Sequence, residues 1–549
     1  MKTRFFFMLL FSLWVLNVSS QDTIFVVLSP SERGFKIPSD FAGLSFEKSD
    51  LNKILFSSHK DTIIRLFQTL GITSVRMGGN SVDKDTFSIT ASSTRFTRAE
   101  LDSFYYFIQK VNGQVLMGLN FGGDFNPSLA SDEVAYVMSN YASHIRGFEI
   151  GNESDLYYSN GFRTSSYNVS DYESQYETYQ DTIYKYTPSA IFTGPAAASH
   201  YTSFTLPFCR TMQGKFTMLT QHYYVAGANT LPNHQQIVNL LNPAHLTSVL
   251  NEVNALVQCA DSSGVPFRMA ECNSLYNGGQ WGVSNAFVSS LWALDYMYGL
   301  ASKECAGVYF HGGLSGAYTP LAFYKYIYSA RPISYGIMAF QVGSKGWIIP
   351  ANVTNNKINL TLYSVIDSAN NIYTTIINKD SLHDALIVLN SGSTLYTTAS
   401  TISLIADSLA DTTNVSLGGQ IVSAYGTCQP YNWHPLNVSG NKTKLLVPAS
   451  SASIIRFSLP PTNIKTQVST EKDYSIFPNP SKSEINIFIN DIEPDMRIYV
   501  FNASGNIVYS TAVNEQNTVL NMSPFNSGMY ILKVVNKGFV LYTSKLIRE

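Results

Sequence analysis

The stretch Gly147-Phe148-Glu149-Ile150-Gly151-Asn152-Glu153 runs an apolar strand into an Asn-Glu pair and then into a polar, aromatic loop. A buried strand that stops at a carboxylate has the form of a catalytic site. A second such strand, Pro266-Phe267-Arg268-Met269-Ala270-Glu271, also ends in a glutamate and is followed by Asn273, Ser274 and Tyr276. Outward from these two, eight short apolar runs can be counted, at 41–47, 72–78, 114–120, 147–153, 190–195, 216–224, 266–271 and 306–311. Segments of helical character separate them. At 61–70, Ile63, Ile64, Phe67 and Leu70 recur at helical spacing, and Gly71 closes the helix. Eight strands alternating with helices predict a (β/α)8 TIM barrel, whose chemistry sits at the C-terminal ends of the strands. Glu153 then falls on the fourth strand and Glu271 on the seventh.

Two carboxyl groups are what hydrolysis of a glycosidic bond requires, one to protonate the leaving oxygen and one to stabilise or capture the oxocarbenium ion. Composition agrees with a sugar rather than a polyanion as partner. Charged residues make up 13% of the 549, with a net charge of −2, so no basic face points to nucleic acid or an anionic membrane. Tyr (34) and Phe (33) are abundant, and most must be core, with Tyr172, Tyr176 and Tyr179 at helical spacing forming a core stripe.

The chain divides by pattern. Lys2 and Arg4 precede an apolar run from 5 to 16, and the small residues Val18 and Ser20 follow, which reads as a signal peptide over 1–20. The run is too short to span a membrane, and the most apolar later segment, 285–301, carries Asp295 in its middle, so no membrane-spanning segment is expected. The catalytic barrel occupies 21–346. From Trp347 to 459, short strands with Ser, Thr, Asn and Gly turns predict a β-sandwich, with which 22–28 is a candidate to pair. A polar linker covers 460–474, and 475–549 is a small all-β unit. The five cysteines, at 209, 259, 272, 305 and 428, allow at most two disulfides and show no metal-ligand spacing, so neither a metal nor a cofactor is expected. Cys272 reads as a buried packing residue.

Gly43-Leu44-Ser45-Phe46-Glu47, Arg76-Met77-Gly78-Gly79-Asn80, Ile150-Gly151-Asn152-Glu153, His222-Tyr223-Tyr224 and Met269-Ala270-Glu271 together resemble the retaining glycosidases of clan A. More narrowly they resemble glycoside hydrolase family 79, the β-glucuronidase and heparanase family, over roughly residues 22 to 458. The resemblance implies that Glu153 is the general acid/base and Glu271 the nucleophile. Glu153 must then carry its proton when substrate arrives, while donors such as Tyr223 or Arg76 keep Glu271 ionised. Asn152 would hydrogen-bond the hydroxyl next to the anomeric carbon, and Glu47, His222, Tyr223 and Arg76 join the sugar-binding set. The resemblance also implies that Tyr276 and Tyr318, with the Ala317 amide and the Gly312-Gly313 turn, hold the carboxylate of glucuronic acid. Asp155, Tyr157 and Tyr158 are candidates for a leaving-group subsite.

The implied function is a secreted retaining β-glucuronidase acting on a glucuronic acid-containing glycan. Two alternatives stand: an endo-acting heparanase-like or neutral β-glycosidase of the same clan, or a non-catalytic carbohydrate-binding surface protein. The C-terminal unit has a resemblance of its own. Phe477-Pro478-Asn479-Pro480, Ile485-Asn486-Ile487, Ser504-Gly505 and Gly528-Met529-Tyr530-Ile531-Leu532 are similar to the sorting domain of the type IX secretion system, implying export by that machinery. Asn-x-Ser/Thr sequons, including one at Asn152 itself, read as compositional, because a glycan there would block the site.

Overall fold

The computed structural model describes residues 23–459 and 474–549, apart from 53–55, 57–59, 89–94, 124, 313–315, 325–326, 504 and 537–538. Residues 1–20, the expected signal peptide, nearly all of the expected linker, and Gly313 and Ser504 lie outside the described residues.

Eight parallel strands close into a barrel: Ala42–Glu47, Ser74–Gly78, Gln114–Leu119, Ile145–Ile150, Phe192–Ala197, Leu219–Gly227, Phe267–Tyr276 and Val308–His311, here barrel strands 1 to 8. Strand 6 pairs strand 7, and strand 8 pairs strand 1, which completes the circle. Helices return the chain between strands. Lys60–Leu70 buries Ile63, Phe67 and Leu70, and Gly71 ends it at φ 69°, a left-handed conformation that costs glycine nothing. Val169–Tyr184 buries Tyr172, Tyr176 and Tyr179 together, and the Tyr172 hydroxyl donates to the Ile150 carbonyl at 3.0 Å, tying the helix to the end of strand 4.

A β-sandwich shares this unit with the barrel. One sheet runs Ala351–Thr354, Thr23–Leu28, Ala385–Asn390, Lys442–Val447 and Val438–Ser439. The other is built on Leu360–Ile366, Ile372–Asn378, Ser451–Ser458 and Thr398–Ile405. In the strand Thr398–Ile405 four of the eight residues are Ser or Thr, a composition that in sequence imitates a turn. Helix Val288–Ala301 is buried on every side, because it lies between barrel and sandwich. That position explains Asp295. Its carboxylate accepts from Thr361 at 2.6 Å and Tyr363 at 2.9 Å and pairs with Lys379, so the charge is matched by sandwich residues rather than by water.

The C-terminal unit has its own core of Ile485, Ile487, Ile489, Ile498, Val500, Leu532 and Val534, in two antiparallel sheets. Strand Glu484–Ile489 alternates exposed or half-buried with buried residues, the period that sheets of this kind require. Asn479 of the Pro-Asn-Pro motif accepts from the Ile547 amide at 2.8 Å and donates to the Lys545 carbonyl at 2.6 Å, which secures the end of the last strand. Among the described residues no helix is long and apolar enough to cross a membrane.

Candidate active site

The C-terminal ends of the barrel strands open on a cleft of about 830 Å³. Glu47, Asn152, Glu153, Tyr224, Glu271, Tyr276, His311 and Tyr318 all line it. Strand 4 stops at Ile150, three residues before Glu153, so Glu153 is not a strand residue as its sequence suggests. Gly151 at φ 81° and Glu153 itself at φ 53° turn the chain left-handed, and the Glu153 amide donates to the Ala196 carbonyl at 2.9 Å. A left-handed glutamate is uncommon, and this neighbouring contact holds it so that its carboxylate faces Glu271. Glu271 arrives from strand 7 opposite His222, after a register shift between Met269 and Glu271. One carboxylate oxygen of Glu153, one of Glu271 and a ring nitrogen of His222 all lie within 4.8 Å of one another.

Arg76 is the hub beneath this pair. Its guanidinium donates to Glu149 at 2.7 Å, Glu271 at 2.8 Å and Asn152 Oδ1 at 2.9 Å. Five donors in a rigid planar fork hold several acceptors in fixed directions, which the compact ammonium of lysine on its flexible stem does not do. Arg76 is fully buried, so it orients the site and does not contact sugar, a correction to its place in the sugar-binding set. His222 is corrected on the same ground. It is 1% exposed, with Nδ1 at 3.1 Å from Glu153 and Nε2 at 3.3 Å from Arg76. The Glu153, His222 and Glu271 cluster has metal-like spacing, but both His222 nitrogens are engaged and Arg76 supplies the compensating charge.

Tyr223 is a further correction. Alternate residues on a strand face opposite ways, so His222 and Tyr224 point into the barrel while Tyr223 points out and stacks on Tyr296, with ring centroids 5.8 Å apart. The donor to Glu271 is Tyr224, at 2.8 Å. The period-two rule, applied to His222-Tyr223-Tyr224, would have found it. Ala317 cannot offer its amide to a ligand, because that N–H donates to the Gly278 carbonyl at 2.5 Å. Asp155 is likewise engaged, accepting from the amides of Ala198, Ser199 and His200, and Tyr157 is buried against Asp83 at 2.8 Å. Neither lines the cleft itself, but each holds residues that do, Asp155 the amides of Ala198 and Ser199 and Tyr157 the carboxylate of Asp83. Tyr158 is exposed and does not line the cleft.

Glu149 and His311 are functional-looking residues that the sequence reading did not single out. Glu149 looked like core, since a strand-interior carboxylate gives no sign of the arginine that neutralises it. His311 sits at the end of strand 8, with Nε2 at 3.4 Å from Glu47 and Nδ1 at 3.6 Å from Glu271 and 3.0 Å from Ser45 Oγ. Buried charges therefore alternate in sign from Glu47 through His311, Glu271 and Arg76 to Glu149. Burial works against the charge on Glu271, but His311, His222 and Arg76 outweigh it and hold its carboxyl well below the usual range. Burial also works against the His311 cation, yet the charge on Glu271 and the bond to Glu47 push that ring up to about 9.

A raised histidine stabilises the fold where it is charged. The His311 contribution should be complete below about pH 6.5, the unfolded value, and disappear as pH rises through about 9. The shift corresponds to about 3 kcal/mol. Unfolding in urea at pH 6 and pH 9.5 should show this loss in the parent and a flatter profile in His311→Gln.

A closed parallel (β/α)8 barrel with two glutamates facing each other across the mouth of the cleft is the class of fold and site found here. Within it, residues 101–298 match the model of the glycosyl hydrolase family 79 N-terminal domain, and residues 475–549 match the secretion system C-terminal sorting domain. Residues 101–298 are therefore similar to a family 79 glycosyl hydrolase domain, and the C-terminal sorting domain indicates export to the cell surface or beyond. A β-glucuronidase of Aspergillus niger is 31% identical over 103 residues, 17% of this chain and 18% of that protein. A β-glucuronidase of Neurospora crassa is 31% identical over 133 residues, 22% of this chain and 23% of that protein. The chain thus spans about a fifth of the length of these curated relatives. Among solved structures, a 4-O-α-L-rhamnosyl-β-D-glucuronidase of Fusarium oxysporum superposes with a TM-score of 0.65 at 19% identity, over 78% of this chain and 98% of that one. At that identity the likeness speaks for the fold.

Proposed function

We propose that the protein is an exported, retaining β-glucuronidase that removes glucuronic acid from a glycan in two displacements. The observation that carries this reading is the approach of Glu153 and Glu271, with one oxygen of each within 4.8 Å across an open cleft. Retaining enzymes hold their carboxyls about 5–5.5 Å apart, whereas inverting enzymes leave about 6.5–9.5 Å for a water. Glu153 gives its proton to the glycosidic oxygen as that bond breaks. Glu271, held ionised by His311, His222 and Arg76 and oriented by Tyr224, bonds to the anomeric carbon. Glu153, now a carboxylate, takes a proton from water, and the oxygen of that water displaces Glu271 to restore the starting configuration. Asn152, oriented by Arg76 and at the cleft, supports the sugar hydroxyl beside the anomeric carbon.

Tyr276 and Tyr318 support the choice of sugar. Both line the cleft beside Tyr224, with ring centroids 6.4 and 6.2 Å from it. Phenol hydroxyls donating to a carboxylate form charge-assisted bonds, stronger than those to a neutral hydroxymethyl group. Tyr276→Phe and Tyr318→Phe should each raise KM for an aryl β-glucuronide about tenfold, the cost of one such bond. Unchanged KM in both variants would remove glucuronic acid and leave a neutral β-glycosidase. The cleft is large enough for a sugar together with part of its leaving group. Type IX secretion machinery is the partner that the sorting domain would engage.

A further inference from the structure

Tyr276 ends strand 7, where the loop after it begins, and Tyr318 stands on the loop after strand 8, so their separation depends on whatever joins those two loops. The joint is built from backbone. The Gly278 carbonyl accepts the amides of both Ala317 at 2.5 Å and Tyr318 at 3.3 Å. Gly279, at φ 76°, leaves room that a Cβ would fill, since that atom would lie 2.7 Å from the Tyr318 nitrogen. Such a joint is close but has little side-chain mass to stiffen it. Arg331, at the start of helix Pro332–Gly343, supplies what is missing. Its Nη1 donates to the carbonyls of Gly316 and, at 2.9 Å, Ala317. The same guanidinium lies over the ring of Trp281, 4.9 Å from its centroid, on the loop after strand 7.

Trp281 is in turn fixed from the loop and the helix that follow strand 6. Its carbonyl accepts from Asn233 Nδ2 at 3.0 Å, and its neighbour Gln280 donates to Asn233 Oδ1 at 2.7 Å and accepts from the Asn229 amide at 2.8 Å. The indole is nevertheless 61% exposed, an unusual place for a tryptophan unless its face is in use. Arg331 is not among the cleft-lining residues, so its charge is turned to carbonyls and an aromatic face rather than to substrate.

We propose that the Trp281–Arg331 stack is a latch that sets the distance between Tyr276 and Tyr318, making Arg331 a positioning residue for recognition of the sugar's anionic group. This rests on the reading of Tyr276 and Tyr318 as the carboxylate donors. A latch depends on the planar fork that reaches two carbonyls and a ring face together, so lysine cannot replace it. Arg331→Gln, Arg331→Lys and Trp281→Leu should all raise KM for 4-nitrophenyl β-glucuronide, the two arginine variants by about tenfold. Inhibition by free glucuronate should weaken by the same factor. The kcat should stay within about threefold, and the thermal midpoint should move little, because the stack is at the rim.

Full rescue by Arg331→Lys would overturn the latch in favour of a simple charge effect. So would an Arg331→Gln whose KM is unchanged, or one whose kcat and thermal midpoint fall together. Tyr276→Phe and Tyr318→Phe, measured beside these, separate the two claims. If the tyrosine variants alter KM and Arg331→Gln does not, the latch alone fails; if the tyrosine variants alter nothing, the carboxylate reading fails and takes the latch with it.

Discussion

Glu271→Gln is expected to lower kcat on aryl β-glucuronides by about 10⁴-fold or more while leaving the protein folded. The amide is nearly the same shape as the carboxylate, and its oxygen can still accept from Arg76 or Tyr224. Arg76 keeps Glu149 and Asn152, so no buried charge is left unpaired. What the variant lacks is the nucleophile. Circular dichroism and a thermal midpoint near that of the parent, alongside lost turnover, would separate chemistry from folding. Turnover within tenfold of the parent would exclude Glu271 as the group that bonds to the sugar.

Glu153→Gln is expected to give a different signature, because the two half-reactions use that residue in opposite protonation states. Substrates with poor leaving groups need its proton and should slow by about 10²–10⁴-fold. A dinitrophenyl glucuronide leaves without help, so its first step should survive and the glycosyl-enzyme should accumulate, giving a burst followed by slow turnover. Azide needs no general base. Added azide should speed turnover of the variant and yield the β-glycosyl azide, but have little effect on the parent. An equal loss on both kinds of substrate, with no rescue, would deny Glu153 the acid/base role.

The barrel was legible because its signal is long-range and redundant. Eight apolar runs and their intervening helices constrain one another, and errors of two residues at Ser74, three at Leu219 and five at Tyr276 do not alter the topology. The glutamate pair was legible for the same reason, since strands 4 and 7 place both residues at one end of the barrel. Side-chain direction within a motif was harder. Tyr223 and Tyr224 are adjacent and chemically identical, and only the alternation of the strand decides which one reaches Glu271. Arg76 was recognised as a partner of Glu271 but not as buried, because its burial depends on Glu149, a charge that the sequence hides in an apolar run. The Ala317 amide was misjudged because its acceptor, Gly278, comes from another loop. His311 carried no pattern of its own, and its importance follows only from lying between Glu47 and Glu271.

The central claim is double displacement through Glu271, and trapping the covalent intermediate tests it most directly. A 2-deoxy-2-fluoro glucuronyl fluoride slows both steps but leaves with ease, so the parent protein should gain the mass of one fluoro-sugar. Proteolysis and fragmentation of the labelled protein should place that mass on Glu271. A label on another residue, or an unlabelled protein that continues to hydrolyse aryl glucuronides, would contradict the account.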